Sequence, residues 1–112
     1  LTSWNKKNLE QIGITHDVRD QVKILVELAN KAKLSGIIAS AQDIELARKI
    51  SKDIKIFCPG IRGSQNTQDQ KRTLSYKEFS DVADDKCFAV IGRPIYEGDP
   101  LENIKKIINS AK

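Results

Sequence analysis

Phe57-Cys58-Pro59-Gly60-Ile61-Arg62 is the stretch that decides the fold, together with the similar stretch Phe88-Ala89-Val90-Ile91-Gly92-Arg93-Pro94. Each is a short apolar run that ends in a glycine and an arginine, and such a run predicts a buried parallel strand. The glycine lets the backbone leave the strand in an unusual conformation. The arginine then stands at the carboxyl end of the strand, where α/β folds bind their ligands. Two successive strands that end in this way predict one anion, a phosphate, held between two loops.

The composition is typical of a globular domain. The chain has 112 residues, which predicts one domain over positions 1–112, and 30% of the residues are charged. A nucleic-acid surface would combine clustered basic residues with aromatics, and aromatics are only 5% at a net charge of +4, so we expect no nucleic-acid partner. No apolar run approaches the ~20 residues that span a bilayer, and the first residues lack the order of a signal peptide. We therefore expect a cytoplasmic protein with no membrane partner.

The two cysteines and the single histidine give no sign of a metal site. Cys58 and Cys87 lie inside apolar strand patterns, and neither has the close partner that metal ligation or a redox dithiol needs. We expect both to be reduced, buried thiols. His16 stands near a helix start and is expected to be a structural or surface residue.

An amphipathic helix is predicted from apolar residues that recur at three- and four-residue spacing over positions 18–32. Thr15 or Asp17 can cap its start. We expect Gly36 to end it in a left-handed conformation. The strand that follows, at positions 36–40, is apolar almost throughout, which predicts that both of its faces are covered.

Three further helices are predicted from capping signals. Ser40 precedes a helix that runs to about position 51, and we expect Ser40 to cap it rather than to contact a ligand. Ser75 with Glu78 at its third position begins another, and Asp99 with Pro100 begins the last. Apolar spacing predicts the inner faces of these helices: Ile44, Ala47 and Ile50; Phe79, Val82 and Ala83; Ile104, Ile107 and Ile108.

The order of elements is the end of one strand followed by three further strands, each alternating with a helix. Strict alternation with apolar strands predicts an α/β fold with a parallel sheet and helices packed against it. A full (β/α)8 barrel needs roughly 250 residues. The chain therefore supplies about half of a TIM (β/α)8 barrel, its C-terminal half. A long polar segment at positions 63–72 interrupts the alternation and is predicted to be a functional or disordered loop.

At this point the sequence resembles bacterial orotidine 5′-phosphate decarboxylase over essentially all 112 residues. Five short motifs carry the resemblance, and each lies at the end of a predicted strand or in the loop after it. They are Leu1-Thr2-Ser3, Ile37-Ile38-Ala39-Ser40-Ala41-Gln42, Pro59-Gly60-Ile61-Arg62, Asp69-Gln70-Lys71-Arg72 and Ile91-Gly92-Arg93-Pro94-Ile95.

The resemblance implies a substrate-binding role for five residues. Thr2 should hydrogen-bond the pyrimidine edge, and Arg62 should help to bind the nucleotide. Gln70 should reach the phosphate from a mobile loop, Gly92 should offer its backbone N–H, and Arg93 should pair with the phosphate. The implied ligands are orotidine 5′-phosphate and uridine 5′-phosphate, and no metal or organic cofactor is implied.

The resemblance also implies catalytic groups that this sequence does not contain. The family destabilises the substrate carboxylate with an alternating Lys and Asp set, mostly from an Asp-x-Lys-x-x-Asp motif. Three segments of this sequence begin with Asp-x-Lys, at Asp53, Asp69 and Asp84, but none has Asp at the last position of the motif. We therefore expect no catalytic residue in this chain and no turnover by the chain alone.

Three interpretations remain open at this level. The chain is the C-terminal portion of an orotidine 5′-phosphate decarboxylase, a non-catalytic relative that binds a nucleotide or phosphate, or a related barrel such as hexulose-phosphate synthase. The motif Asp69-Gln70-Lys71-Arg72 argues against the third. A half-barrel exposes two sheet edges and an uncovered face. We therefore expect it to pair with an N-terminal half or with a copy of itself.

Overall fold

Helices alternate with parallel strands along the chain, as the sequence predicts for an α/β fold. The computed structural model describes residues 1–63 and 74–112. The helices are α1 (Lys6–Gln11), α2 (Val18–Lys31), α3 (Ile44–Ile50), α4 (Tyr76–Val82), α5 (Arg93–Tyr96) and α6 (Pro100–Ala111), with a 3-10 turn at Ala41–Asp43 before α3. The strands are β1 (Gly36–Ile38), β2 (Lys55–Cys58), β3 (Ile61–Arg62), β4 (Leu74–Ser75) and β5 (Cys87–Ala89). Within the described ranges no helix has both the length and the apolar character to cross a bilayer.

The main sheet has three strands in the order β1-β2-β5, and both pairs are parallel. Ile38 lies opposite Phe57 in the first pair, and Phe57 lies opposite Phe88 in the second. The two aromatic rings stack with their centroids 5.1 Å apart. All three strands therefore end at the same edge of the sheet.

A second, smaller pair of strands was not predicted. β3 and β4 are two residues each and run parallel, with Ile61 opposite Leu74 and Arg62 opposite Ser75. The pair joins the residues just before and just after positions 64–73. A two-residue strand has no hydrophobic period, so only the folded chain reveals it.

The predicted helix starts are confirmed by their caps. The side chain of Asp17 accepts from the amide of Asp20, and that of Asp99 accepts from the amides of Leu101 and Glu102. Ser75 and Glu78 form the reciprocal capping box that their spacing predicts. Ser40 accepts from the amide of Gln42 and so caps the turn before α3.

The predicted end of α2 at Gly36 is wrong. The left-handed residue is Lys33, with φ of +56°, and Gly36 already begins β1. Gly36 is required for a different reason, because a Cβ there would lie 3.2 Å from both the carbonyl oxygen of Lys55 and the ring of Phe57. The glycine therefore lets β1 approach β2 closely rather than ending the helix.

The core lies between the sheet and the helices. The side chains of Ile56 and Cys58 point to this side of the sheet and are fully buried, as are Leu9 and Ala47 elsewhere in the chain. The predicted inner faces of the helices are confirmed for Ile44 and Ala47 but wrong for Val82, which is 50% exposed. Tyr76 takes its place as the buried residue of α4.

The opposite face of the sheet is uncovered, so the prediction that β1 is covered on both faces is wrong. Ile38 is 75% exposed, and Phe57, Phe88 and Val90 on the same face are also exposed. The apolar side chains of β1 would be buried only by neighbours that are absent from the described residues. The same holds for Ile104 and Ile108 on α6, which are exposed despite their apolar spacing.

Arg48 fastens the amino ends of β2 and β5 to α3. Its guanidinium pairs with the carboxylate of Asp84 through two nitrogens, and Nη1 donates to the carbonyl oxygen of Ile54 at 2.7 Å. This ion pair holds the pKa of Asp84 well below its usual range, with the hydrogen bond from Arg48 as the main cause. Lys86 adds a second contact at this end of the sheet, with Nζ 2.5 Å from Asp53.

Candidate functional site

The loops that carry Arg62 and Arg93 leave the sheet side by side. The amide of Val90 donates to the carbonyl oxygen of Cys58 at 2.9 Å, which continues the β2–β5 pairing to the carboxyl end of both strands. The amide of Ala39 donates to Phe57 in the same way from β1. Side chains that follow the three strands therefore surround one edge of the sheet, as parallel pairing predicts.

The two glycines of these loops differ in conformation. Gly60 has φ of +78°, which is the left-handed conformation predicted for a glycine that lets the chain leave a strand. Gly92 has a negative φ of −107°. Of the two glycines, Gly60 alone therefore has the positive φ that glycine adopts more readily than other residues.

The backbone of Arg62 is fixed by strand pairing and by a buried neighbour. Ile61 beside it is 1% exposed, and Arg62 pairs with Ser75 in the β3–β4 ladder. The Arg62 side chain is half-buried, and its Nε is fully buried with no hydrogen-bond partner among the described residues. A buried guanidinium N–H without an acceptor costs free energy, so this N–H is suited to donate a hydrogen bond to an anionic ligand.

Gly92 and Arg93 begin a short helix that follows β5. Gly92 is the residue before α5, and its carbonyl oxygen accepts from the amide of Ile95 at 2.8 Å. Both residues are exposed. The side-chain amide of Asn103 on α6 donates to the carbonyl oxygens of Ile95 and Glu97, each at 2.9 Å, and so fixes α5 against α6. Barrel proteins frequently bind phosphate at a short extra helix of this kind after the last strand.

Thr2 lies at a pocket beside β1. The pocket has a volume of about 140 Å³, and Thr2 shares its lining with Ser40 and Asp43 at the carboxyl end of the strand. Asp43 is 3% exposed and Ser40 is 1% exposed, so both polar side chains are buried. Burial of Asp43 was not predicted, because its spacing from Ser40 suggested only a capping role.

The structure brings the predicted residues together in part. Arg62, Gly92 and Arg93 follow the adjacent strands β2 and β5, whereas Thr2 lies beside β1 on the other side of the sheet edge. Gln70 lies outside the described residues, with the rest of positions 64–73. The binding roles of all five residues stay predictions.

Of the two cysteines expected to be buried, Cys58 is buried and Cys87 is half-buried, so the expectation of burial is wrong for Cys87. Burial raises the pKa of the Cys58 thiol to about 12, and burial is also the main cause of the raised pKa of Cys87. Such thiols are poor nucleophiles at neutral pH. In the described parts of the chain, no three His, Cys, Asp or Glu side chains are grouped so that they could hold a metal ion.

Comparison with known proteins identifies the family. The model of the orotidine 5′-phosphate decarboxylase / HUMPS family matches residues 1–107. The chain belongs to this family. The match covers every described strand and the site, and it confirms the resemblance carried by the five motifs.

Curated members of the family are similar over about half of their length. The orotidine 5′-phosphate decarboxylase of Wolbachia pipientis from Culex pipiens is 38% identical over 112 residues, which are 98% of this chain and 49% of that protein. The enzyme of the same name from Actinobacillus pleuropneumoniae serotype 5b is 39% identical over 110 residues, or 96% of this chain and 47% of that protein. The chain thus spans about half the length of the curated relatives it matches.

A solved structure shows the same fold. The crystal structure of orotidine 5′-phosphate decarboxylase from Lactobacillus acidophilus superposes with a TM-score of 0.73 at 23% identity, and it covers all of this chain and 46% of that one. The predicted fold, an α/β half of a TIM barrel, is confirmed by this likeness. The uncovered sheet face described above corresponds to the interior of a barrel.

Proposed function

We propose that this chain is the C-terminal portion of an orotidine 5′-phosphate decarboxylase, forming one partial-barrel unit over residues 1–112. It supplies the phosphate grip and part of the pyrimidine wall for the conversion of orotidine 5′-phosphate to uridine 5′-phosphate and CO2. The names of the curated relatives support the decarboxylase over the other activity in the family's name. The proposed ligands are orotidine 5′-phosphate and uridine 5′-phosphate.

The observation that carries the proposal is the buried Nε of Arg62. This guanidinium nitrogen has no acceptor among the described residues, although Arg62 is anchored beside buried Ile61 at the carboxyl end of the sheet. A charge-assisted hydrogen bond to an anionic group would satisfy it. Arg62 binds the nucleotide from this position.

The phosphate itself is bound next to Arg62, after β5. The backbone N–H of Gly92 and the guanidinium of Arg93 bind phosphate oxygens at the start of α5. Gly92 and Arg93 are both exposed residues, which is compatible with access by a ligand. Gln70 reaches the same phosphate from positions 64–73, and Thr2 hydrogen-bonds the pyrimidine edge on the β1 side.

In the reaction, this chain binds and orients the nucleotide. The bond between the pyrimidine ring and the substrate carboxylate breaks, CO2 leaves, and the ring carbon takes up a proton. The Lys and Asp groups that perform this step come from polypeptide outside the 112 residues. Binding energy from the phosphate, far from the reacting carbon, contributes to the barrier reduction there.

Isothermal titration calorimetry with uridine 5′-phosphate tests the binding role. We expect millimolar or tighter binding by the 112-residue chain. Arg62→Met and Arg93→Met each remove a charge-assisted hydrogen bond of about 1.5–3 kcal/mol, so each should weaken binding by roughly 10- to 100-fold.

Arg19→Met is the matched control, because Arg19 is an exposed arginine on α2. It should bind uridine 5′-phosphate as the unchanged chain does. Absence of heat at millimolar ligand, or equal weakening by the control and by Arg62→Met, would overturn the proposed site.

The alternative function is a non-catalytic relative that binds a nucleotide or phosphate without turnover. It is favoured by the lack of any complete Asp-x-Lys-x-x-Asp motif in the sequence. A decarboxylation assay with orotidine 5′-phosphate separates the two. Turnover after addition of the remaining half of a relative supports the decarboxylase, whereas binding of uridine 5′-phosphate without turnover in that complex supports the alternative.

A further inference from the structure

The capping box at the start of α4 is joined directly to the segment that carries Arg62. Ser75 is both the last residue of β4 and the cap of α4. As a strand residue it lies opposite Arg62, and as a cap its hydroxyl accepts from the amide of Glu78 at 3.2 Å. The carboxylate of Glu78 accepts in return from the amide of Ser75 at 2.7 Å. One residue therefore connects the first turn of α4 with the backbone of Arg62.

Strand pairing alone gives Arg62 weak support, because β3 and β4 have only two residues each. Even a complete two-stranded hairpin is only marginally stable in water. The capping box strengthens the pair, since it fixes the backbone of Ser75 and satisfies two amides that would otherwise lack a partner. The hydrogen bond from the Ser75 amide is also the main cause of the lowered pKa of Glu78, so this carboxylate is charged at neutral pH.

The residues on either side of Arg62 are also packed. Ile61 is 1% exposed, and Tyr76, the first residue of α4, is buried as well. A Cβ added to Gly63 would lie 3.6 Å from the ring of Tyr76, so this ring lies close to the backbone that follows Arg62. The start of α4 thus contacts the arginine segment through Ser75 and through the ring of Tyr76.

The buried Nε of Arg62 indicates that this support is needed. It has no hydrogen-bond partner among the described residues, and burial without a partner costs free energy. An arginine whose backbone could shift would turn this nitrogen to water. The contacts of the neighbouring residues therefore keep the donor in place, at the position where the proposed function puts the nucleotide.

We propose that Ser75 and Glu78 are positioning residues for Arg62. The capping box holds the Arg62 backbone so that its Nε–H is directed at the anionic nucleotide before the nucleotide binds. A donor that is already in place loses less conformational entropy when its ligand arrives, so the capping box strengthens binding without contacting the ligand. The inference rests on the proposed function for its ligand, uridine 5′-phosphate.

Nucleotide binding by two Glu78 variants tests the proposal. Uridine 5′-phosphate is titrated into the chain, and the amide chemical shifts are followed by NMR, which measures weak binding. Glu78→Ala removes an acceptor of the box, and we expect binding to weaken by roughly fivefold, a part of the loss caused by Arg62→Met. Glu78→Gln keeps a side-chain oxygen that completes the box, so it should bind as the unchanged chain does.

The direction of the effect separates positioning from charge. Loss of a carboxylate makes the chain more basic, which by itself favours a phosphate ligand. Asp17→Ala is the matched control, because it removes one carboxylate and one helix cap from α2 while β4 and α4 stay unchanged. It should bind uridine 5′-phosphate no more weakly than the unchanged chain. Far-UV circular dichroism checks that both alanine variants remain folded.

A double variant shows whether Glu78 acts through Arg62. Glu78→Ala in the Arg62→Met background should cause no further loss of binding, because the donor that the box positions is already absent. A general destabilisation would instead weaken binding in both backgrounds.

A measurement without nucleotide separates this inference from the proposed function. The Nε–H of Arg62, assigned by its loss in Arg62→Met, should exchange with water at least ~3-fold faster in Glu78→Ala than in Glu78→Gln or the unchanged chain. If the unchanged chain binds no uridine 5′-phosphate, the proposed function is rejected, and this exchange rate alone decides whether the box positions Arg62.

Four results would overturn the inference. They are equal binding by Glu78→Ala and Asp17→Ala, an equal loss in Glu78→Gln, a further loss in the Arg62→Met background, and an Nε–H exchange rate that Glu78→Ala leaves unchanged.

Discussion

Replacement of Arg48 by methionine should destabilise the chain through one identifiable set of contacts. The variant Arg48→Met keeps most of the apolar stem and removes the guanidinium. The Arg48 side chain is only 17% exposed, and its guanidinium pairs with Asp84 and donates to the carbonyl oxygens of Ile54 at 2.7 Å and Ser51 at 3.4 Å. The variant therefore loses an ion pair and a backbone contact that together join α3 to the amino ends of β2 and β5.

The expected loss follows from the exposure of each contact. A hydrogen bond from a charged donor to the Ile54 carbonyl contributes about 1.5 kcal/mol. The Asp84 side chain is 40% exposed, so solvent screening reduces the ion pair to about 0.5 kcal/mol. We expect the free energy of unfolding to fall by about 2 kcal/mol. For a chain of this size that lowers the melting temperature by roughly 10 °C.

The pH dependence gives a second readout. Because Arg48 holds the pKa of Asp84 below its usual range, the pair stabilises the fold above the unfolded pKa of ~3.9. This stability is lost as the pH falls through the lower, folded value. The difference between the unchanged chain and Arg48→Met should therefore narrow below about pH 4.

Urea unfolding followed by far-UV circular dichroism measures both effects. Lys49→Met is the matched control, because Lys49 is the next residue on α3 and pairs with Glu45 while their side chains are 65% and 79% exposed. The free energy of unfolding of Lys49→Met should stay close to that of the unchanged chain, because solvent screens this exposed pair. Equal stability of the two variants at neutral pH would refute the reasoning, as would a difference that widens in acid.

Three other predictions concern single positions. Lys33 has φ of +56°, so Lys33→Gly should raise the free energy of unfolding by about 1 kcal/mol in urea titrations; a decrease would contradict the left-handed assignment. Asp99 caps α6, so Asp99→Ala should lower the free energy of unfolding by about 1 kcal/mol in the same assay. Asp85→Ala, at an exposed residue that caps no helix, should leave it almost unchanged. Cys58 is fully buried and its thiol pKa is about 12, so in a Cys87→Ser variant a thiol reagent at mildly alkaline pH should react only after urea is added, and rapid labelling of the folded chain would disprove this shielding.

The features that were predictable from sequence are those that neighbouring residues determine. The caps at Asp17, Ser75 and Asp99 need only a side-chain oxygen and an amide two or three residues away, so a short motif suffices. The parallel sheet follows from the alternation of apolar strands with helices. Parallel pairing in turn puts the residues after β2 and β5 at one edge, which made the position of Arg62 and Arg93 predictable.

The features that were missed depend on residues far apart in the chain. Arg48 resembles any exposed cation on a helix until the fold brings Asp84, 36 positions away, to its guanidinium. The burial of Asp43 beside Thr2 likewise depends on the packing of the first residues against β1. The burial of the Arg62 Nε could not be inferred at all, because a strand of two residues carries no pattern.

The disagreement over β1 is itself informative about the protein. Its apolar sequence is that of a strand covered on both faces, yet Ile38 is 75% exposed and the backbone of Gly36 and Ile38 faces an open edge. A chain that folded for itself alone would gain from a polar residue at position 38, since a large apolar side chain exposed beside an open edge promotes aggregation. The apolar pattern of β1 is therefore not matched by burial among the described residues. The predicted binding residues that follow β2 and β5 and this uncovered apolar face therefore lie on the same three-stranded sheet.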